Sequence, residues 1–479
     1  MLSLSRTSLA RPTTAIARAA VAAPKRGYAY ERPPYSERQP YTERPSRPYG
    51  DRQNRPSFDR GERPNRPYGD RGDRPNRTFG DRQDRPFSPS YRGSNQGKRF
   101  TETLLYIPNG VVARRTPETA PVLLTLADRS VDEITALIQG ALTLKLVHKN
   151  FGPRFLGDSM RNRSMAMIFS KRSTRTRVAT ETATSSLGGV AMFLGRDDIQ
   201  LGVNESLYDS AKVIGSMVDG IMARVGKHEE VETLAKHSGV PVINALSDLY
   251  HPTQILADIL TLVEEAHGPF VFPSQVTTSE SSRYHWMHEW VRENVDIPGA
   301  LRGKKMAWVG DSNNISNELL VTLPRFGVHF ALAAPKGYDT IDPRVKATLE
   351  AQGVADMITY TNDPAVAVKN ADILITDTWI SMGQEDETAA RLKAFDGYQI
   401  TMDMARTHGA KEGWKFMHCL PRHKEEVDDE VFYSDRSLVF PEAENRKWTI
   451  MACIDAMAGW WSPARKIRMR KADDMVEEA

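Results

Sequence analysis

Cysteine is nearly missing: the 479 residues hold two, Cys419 and Cys453. That excludes a disulfide-stapled secreted scaffold and leaves too few thiols for a cysteine zinc site. Long apolar runs are missing too. None approaches the roughly 20 residues a helix needs to cross a bilayer, so no membrane span is expected. Two phosphate-binding glycine patterns are absent. No Gly-x-Gly-x-x-Gly follows a strand-like run and no Gly-x-x-x-x-Gly-Lys-Ser/Thr occurs, which argues against the usual dinucleotide and ATP sites. Acid is missing from the first 30 residues, and aliphatic side chains are scarce over 31–98.

Those last two gaps set the N-terminus apart. Residues 1–30 carry Arg6, Arg11, Arg18, Lys25 and Arg26 among Ser, Thr, Ala and Leu. A basic, hydroxyl-rich, acid-free leader is the pattern of a mitochondrial transit peptide, expected over 1–28 and implying the matrix. Arg26-Gly27-Tyr28 before Ala29 resembles a processing site, and the short, interrupted run Ala19–Ala23 argues against a secretory signal. Residues 29–99 form a degenerate array, seen in Arg47-Pro-Tyr-Gly-Asp-Arg52, Arg66-Pro-Tyr-Gly-Asp-Arg71 and Arg77-Thr-Phe-Gly-Asp-Arg82. So few aliphatics cannot offset the entropy of ordering, and disorder is expected. Interleaved Arg and Tyr can bind RNA by charge and stacking. The near-alternation of Asp with Arg weakens that field, so a spacer is favoured and nucleic acid is not the expected partner. Beyond this tail, from Phe100, 42 basic and 51 acidic residues remain, so the net +3 conceals a body of about −9.

From Leu123 the chain alternates. Ser130-Val-Asp-Glu133 is a capping box that opens a helix to about His148. Strands are expected at Met165–Phe169, Val190–Leu194, Gly220–Val225 and Val240–Leu246, with helices over 174–187, 206–218, 231–237 and 252–265. Gly268–Gly299 breaks the rhythm around one aromatic helical piece, Tyr284–Asn294. Strands then recur at Lys304–Val309, His329–Ala333, Ile358–Tyr360, Ile373–Thr376, Gln399–Met402 and Lys415–His418. Helices are expected at Asn314–Phe326 and Pro364–Lys369, and a last apolar helix at Trp448–Trp461. Such alternation predicts parallel sheets covered on both faces. The expected class is α/β: two doubly wound parallel-sheet domains with an active-site cleft between them and a closing C-terminal helix. The boundaries read 100–267 (joined by the helix 448–465), a connection or insertion at 268–299, 300–447, and a charged tail at 466–479.

Ligands in open α/β sheets bind beyond the carboxyl ends of strands, and unusual residues cluster there. Ser173-Thr174-Arg175-Thr176-Arg177 lies between a strand and a helix. Free N–H groups, the helix dipole and a guanidinium fork there suit a phosphate, although an ordinary capped helix has the same look. Arg224 ends a strand. His251-Pro-Thr-Gln254, Asp311-Ser-Asn-Asn314, Asp377-Thr-Trp-Ile-Ser-Met-Gly383 and His418-Cys-Leu-Pro-Arg422 each follow one. Singly, these have bland readings as caps, turns, surface charge or a buried thiol. Together they suggest recognition of a phosphorylated carbonyl compound and a cationic amino acid.

Five ordered motifs resemble the ornithine carbamoyltransferases: Ser173-Thr-Arg-Thr176, His251-Pro-Thr-Gln254, Asp377-Thr-Trp-Ile-Ser-Met-Gly383, His418-Cys-Leu-Pro421 and Glu442-Ala-Glu-Asn-Arg446. The similarity covers about 120–465. Aspartate carbamoyltransferases share only the first two motifs; enzymes that carbamoylate other amines are less well separated. The resemblance implies that Ser173, Thr174, Arg175 and Thr176 bind the phosphate of carbamoyl phosphate, with Gln200 reaching in from a neighbouring subunit of a homotrimer. It implies that Arg224 and His251 polarise the carbonyl and that Gln254 meets the carbamoyl amine. Cys419, Leu420 and Arg446 complete that pocket. Asn314, Asp377, Ser381 and Met382 hold L-ornithine, with Asp377 and Cys419 also catalytic. It implies no metal or organic cofactor, since carbamoyl phosphate is already activated. A non-enzymatic, RNA-associated role through the array is the competing reading.

Overall fold

Ten strands form two parallel sheets in the computed structural model, which describes residues 120–196, 205–272, 283–380 and 385–461. The leader, the array, the charged tail, Gln200, Ser381 and Met382 lie outside those residues.

The first half runs β1 (Val122–Leu123), α1 (Val131–Phe151), β2 (Ser164–Phe169), α2 (Thr174–Ser186), β3 (Val190–Gly195), α3 (Leu207–Met217), β4 (Gly220–Arg224), α4 (His228–His237), β5 (Val242–Leu246) and α5 (Pro252–His267). Two helices connect it onward, α6 (Arg283–Asn294) and α7 (Ile297–Leu301). The second half runs β6 (Lys305–Val309), α8 (Asn314–Thr322), β7 (His329–Ala333), α9 (Pro343–Gln352), β8 (Ile358–Thr361), α10 (Pro364–Val368) and β9 (Ile373–Thr376). It ends with α11 (Thr388–Ala394), α12 (Met402–Thr407), β10 (Lys415–His418), α13 (Asp429–Phe432) and α14 (Val439–Trp461).

The sheet orders are β1-β5-β4-β2-β3 and β10-β9-β6-β7-β8. Central strands such as β4 are buried throughout, because helices cover both faces; this is why they read as continuous apolar runs. Edge strand β3 instead exposes Val190 and Met192. Each sheet changes winding direction once. In the first, β2 leads outward to β3 and the chain returns to β4 on β2's other side. In the second, β6 leads to β7 and β8, and β9 returns to β6's other side. Phe169 pairs with Arg224, so β2 and β4 end level at the first switch point. Crevices at such points are where open sheets bind ligands. Helix α5 is buried from Pro252 to Val263, and α14 crosses back to pack on α1, α2 and α5 of the first half. No helix among the described residues is long and apolar enough to cross a membrane.

Three expectations need correction. Gln399–Met402 is not a strand: Ile400 forms one isolated bridge to Val427, and the Thr401 side chain accepts the Met404 N–H at 3.0 Å, starting α12. The last helix begins at Val439 rather than Trp448, because Pro441 sits in its first turn, where a missing N–H costs nothing. Helix α8 ends at Thr322 and tightens to a 3-10 turn over Leu323–Phe326, where Pro324 removes a donor.

Candidate active site

The start of α2 supplies the first wall. Ser173, extended at φ −161°, caps the helix by accepting the Thr176 N–H at 3.3 Å. Arg175 follows, and its Nη2 donates to the carbonyl of Leu420, beyond the end of β10. The basic run at the first switch point thus touches the second half directly. Leu420 holds φ 62°, a left-handed conformation that costs a residue with a Cβ on the order of 1 kcal/mol. Its N–H donates to His418 Nδ1 at 2.9 Å, so the strained residue is held from both ends of its backbone.

Arg446 on α14 forms the floor. Its Nη1 donates to Gln254 Oε1 at 2.7 Å, and its Nη2 donates to Thr253 Oγ1 at 3.1 Å and Thr176 Oγ1 at 3.2 Å. One guanidinium therefore ties α2 to α5. The Gln254 amide is oriented from its other end, where Nε2 donates to Asp258 Oδ1 at 2.8 Å and Glu442 Oε1 at 2.7 Å. Glu442 Oε2 accepts the His418 N–H at 3.0 Å, binding α14 to the end of β10. Burial raises the pKa of both carboxyls, Asp258 to about 7 and Glu442 well above its ordinary value, with Asp258 repelling Glu442. With both amide hydrogens engaged, Gln254 Oε1 is an acceptor fixed in place.

The second switch point supplies the opposite pole. Asp377 follows β9, and its Oδ2 accepts from Asn313 Nδ2 at 3.0 Å, beyond the end of β6. Its Oδ1 accepts the Thr378 N–H at 2.7 Å and the Cys419 thiol at 3.0 Å. Asn313 caps α8 with Oδ1, leaving its amide nitrogen for Asp377. Asn314 turns away and donates to the Ser247 carbonyl at 2.7 Å.

Electrostatics assign protonation states. Burial, then the fields of Arg446, Arg224 and Arg175, hold His251 well below the usual imidazole range, so it is neutral. Burial and Arg175 lower Arg224 to about 10; burial, Arg175 and Arg224 lower Arg446 to about 10. Both remain cations at neutral pH, and the Arg224 Nε–H is buried without a protein partner. Burial and the Asp377 carboxylate push the Cys419 thiol well above its usual range. Cys419 is a weak donor here, not a thiolate nucleophile. The site thus joins a cationic pocket with fixed hydrogen-bonding groups to a carboxylate pole.

Sequence reasoning named Ser173, Thr174, Arg175, Thr176, Arg224, His251, Gln254, Asp377, Cys419 and Leu420, which lie at strand and helix ends, Arg446, which lies inside α14, and Asn314, whose amide is turned to Ser247. It missed Asn313, Thr253, Asp258 and the role of Glu442. Helical spacing held part of that signal, since Asp258 lies one turn after Gln254 and Glu442 one turn before Arg446. Among the described residues, one trio has ligand atoms close enough for a metal: Asp377, His418 and Cys419, all within 4.8 Å. His418 offers it little. Nδ1 accepts the Leu420 N–H, and Nε2 lies 3.4 Å from Glu426 Oε1.

Comparison with known proteins bears on the whole body of the chain. The family model described as the aspartate/ornithine carbamoyltransferase carbamoyl-P binding domain matches residues 122–264, and that of the Asp/Orn binding domain matches 302–457. The chain belongs to the aspartate/ornithine carbamoyltransferase family. It is 52% identical over 342 residues to a mitochondrial ornithine carbamoyltransferase from Emericella nidulans, an alignment covering 70% of this chain and 88% of the relative. It is 49% identical over 339 residues to the mitochondrial enzyme of Schizosaccharomyces pombe, covering 70% and 93%. The crystal structure of the Coccidioides immitis mitochondrial enzyme aligns with TM-score 0.59 and 44% identity, covering 71% of this chain and 98% of that one. The Pyrococcus furiosus ornithine carbamoyltransferase aligns with TM-score 0.59 and 37% identity, covering 70% and 96%.

Proposed function

We propose that the chain is an ornithine carbamoyltransferase of the mitochondrial matrix, converting carbamoyl phosphate and L-ornithine to L-citrulline and phosphate in arginine-forming, urea-cycle-type metabolism. One observation carries the reading: the Arg175–Leu420 and Cys419–Asp377 bonds bring the cationic pocket of one sheet against the carboxylate pole of the other.

In this reading residues 100–267 with the C-terminal helix take carbamoyl phosphate, 300–447 take ornithine, and 268–299 connect them. The start of α2 and Arg175 hold the phosphate dianion. Gln254 Oε1 accepts an N–H of the carbamoyl amine. Thr253 Oγ1, which accepts from Arg446, lies 3.4 Å from His251 Nδ1. In this reading the hydroxyl donates to Nδ1 and His251 presents its Nε2–H to the carbonyl oxygen, beside Arg224. Asp377 and Cys419 orient the side-chain amine of ornithine, with Ser381 and Met382 in supporting contacts; Asn314, whose amide nitrogen donates to Ser247, offers ornithine its Oδ1. The amine must react neutral, though its free pKa is near that of lysine, about 10.4. Its nitrogen attacks the carbonyl carbon, and Arg224, His251 and Thr176 stabilise the tetrahedral oxyanion. The bond to the phosphate oxygen then breaks, and the departing phosphate takes the amine proton. Positioning supplies much of the rate, and no metal or organic cofactor enters the step.

Citrulline formation tests this directly, with putrescine, N-acetylornithine and aspartate as competing acceptors. Faster turnover of any of the three would reassign the acceptor. We read the assembly as a homotrimer with Gln200 reaching a neighbour's phosphate. Edge strand β3 supports this, exposing Val190 at 64% and Met192 at 40% beside exposed Val178 of α2; a second copy would cover that apolar edge.

A further inference from the structure

Helix α8 belongs to the second half, yet three of its side chains reach into the first. Asn314, Asn317 and Glu318 share one face. Asn314 donates to the Ser247 carbonyl at 2.7 Å, and Asn317 donates to the Leu249 carbonyl at 3.2 Å. Glu318 Oε1 accepts from Thr125 Oγ1 at 2.8 Å and from the Leu126 N–H at 2.6 Å. The backbone N–H of His251 also draws its pKa downward. Asn314 and Asn317 thus grip 247–251, the turn that ends in His251, while Glu318 holds residues 125–126, next to Leu124.

That turn is already braced within the first half. Ser247 Oγ accepts the Tyr250 N–H at 3.1 Å and meets His228 Nδ1 at 2.8 Å, while Asn244 Nδ2 donates to the Leu124 carbonyl at 2.8 Å. Helix α8 adds a brace from the other half, and Glu318 is its expensive part. It is fully buried, its second oxygen has no hydrogen-bond partner, and burial raises its pKa to about 8. A leucine would fill the position without that cost. Ile315 and Leu319 on the same helix are apolar and buried.

We propose that Asn317 and Glu318 of α8 are positioning residues for His251: Asn317 holds the turn that carries the imidazole and Glu318 holds the 125–126 backbone beside it, so that His251 is aimed only when the two halves are docked. The inference rests on the reading of His251 as the group that polarises the carbamoyl carbonyl.

The test is kinetic, on the full chain. Glu318→Leu keeps the volume and removes the acceptor. It should lower kcat about tenfold or more per folded site while the KM for carbamoyl phosphate moves less than about threefold, since the hydrogen bonds of Glu318 go to Thr125 and Leu126 rather than to the start of α2. Glu318→Gln keeps Oε1 as an acceptor and should restore most of kcat. If Glu318 acts through His251, the double variant Glu318→Leu/His251→Ala should lose no more than His251→Ala alone. Wild-type kcat in Glu318→Leu, or multiplicative losses in the double variant, would overturn the inference while the reading of the site stands. Wild-type kcat in His251→Ala would remove that reading and the inference with it. Should Glu318→Leu not fold, Asn317→Ala takes its place, with a fall of about threefold expected and wild-type kcat overturning the proposal.

Discussion

Replacing Arg446 with methionine should separate stability from activity. The guanidinium is 2% exposed and makes three bonds inside the protein, to Gln254, Thr253 and Thr176. Against them stand burial and the positive fields of Arg175 and Arg224, which bring its pKa from 12.5 to about 10. A depression of that size disfavours the charged form by about 3 kcal/mol. Three ordinary hydrogen bonds, at roughly 1 kcal/mol each, return a similar amount. Methionine fills much of the volume and carries no charge, so loss and gain nearly cancel. Stability should change by less than ~2 kcal/mol, whereas breaking a conventional buried ion pair at one partner costs about 3–5 kcal/mol. Activity has no such compensation. Gln254 loses the donor that fixes its carbonyl, and the pocket loses one of its three cations. The kcat/KM for carbamoyl phosphate should fall about a hundredfold, or roughly 3 kcal/mol. Urea unfolding followed by tryptophan fluorescence gives the first number, and citrulline formation against carbamoyl phosphate gives the second. Destabilisation beyond ~4 kcal/mol would refute the field argument; a wild-type kcat/KM would remove Arg446 from the site. Inorganic phosphate should also raise the melting temperature of the parent more than that of the variant, because a bound anion relieves a repulsion the variant lacks.

Arg175→Ala should raise the KM for carbamoyl phosphate by about tenfold or more, because it removes both a phosphate ligand and the bond to Leu420; unchanged kinetics would sink that assignment. The Cys419 thiol, held protonated by burial and Asp377, should react with iodoacetamide at pH 7.5 more slowly than free cysteine, and faster alkylation at that site would contradict it. For Glu318 the folded pKa of about 8 exceeds the ordinary 4.5, so the folded state keeps a proton the unfolded chain has lost. Its contribution is present below pH 4.5 and declines as pH rises toward 8. Glu318→Gln should therefore gain on the parent by up to ~1.4 kcal/mol per pH unit between pH 5.5 and 7.5, and a gap that does not change with pH would show that Glu318 keeps its charge on burial. Mixing inactive Arg224→Ala chains with inactive Gln200→Ala chains should restore partial activity if sites are shared in a trimer, and no recovery after subunit exchange would end that reading.

What the sequence made legible was local. A strand followed at once by a cap residue and a charged or hydroxyl side chain fixes where that side chain emerges, so Ser173, Arg224, His251 and Asp377 could be placed one by one. Their convergence follows from topology, because each sheet reverses its winding next to the strands that carry them. Orientation within a pair of like residues was not legible. Asn313 and Asn314 are adjacent, and only the cap geometry sends the first to Asp377 and the second to Ser247. Nor were the buried acids, whose meaning lies in distant partners: Gln254 finds Glu442 across 188 residues, and Thr125 finds Glu318 across 193. A carboxylate read alone on a helix looks like a solvated charge.

The distribution of those long-range bonds carries a mechanical consequence. Glu442 and Arg446 stand one turn apart on α14, which begins in the second half and packs on the first. Through Gln254 and the His418 N–H they join α5 to the end of β10, the strand end that presents Cys419 and Leu420. Helix α8 makes the reciprocal link, from Asn313 at Asp377 to Asn317 at the His251 turn and Glu318 at residues 125–126. Each substrate pole is thus braced by a helix whose other residues hold the opposite pole. A pair of rigid sheets joined this way can change the distance between carbamoyl carbon and attacking amine only by moving both poles together. An effect on one substrate's binding from a substitution near the other is therefore the expected behaviour of this architecture.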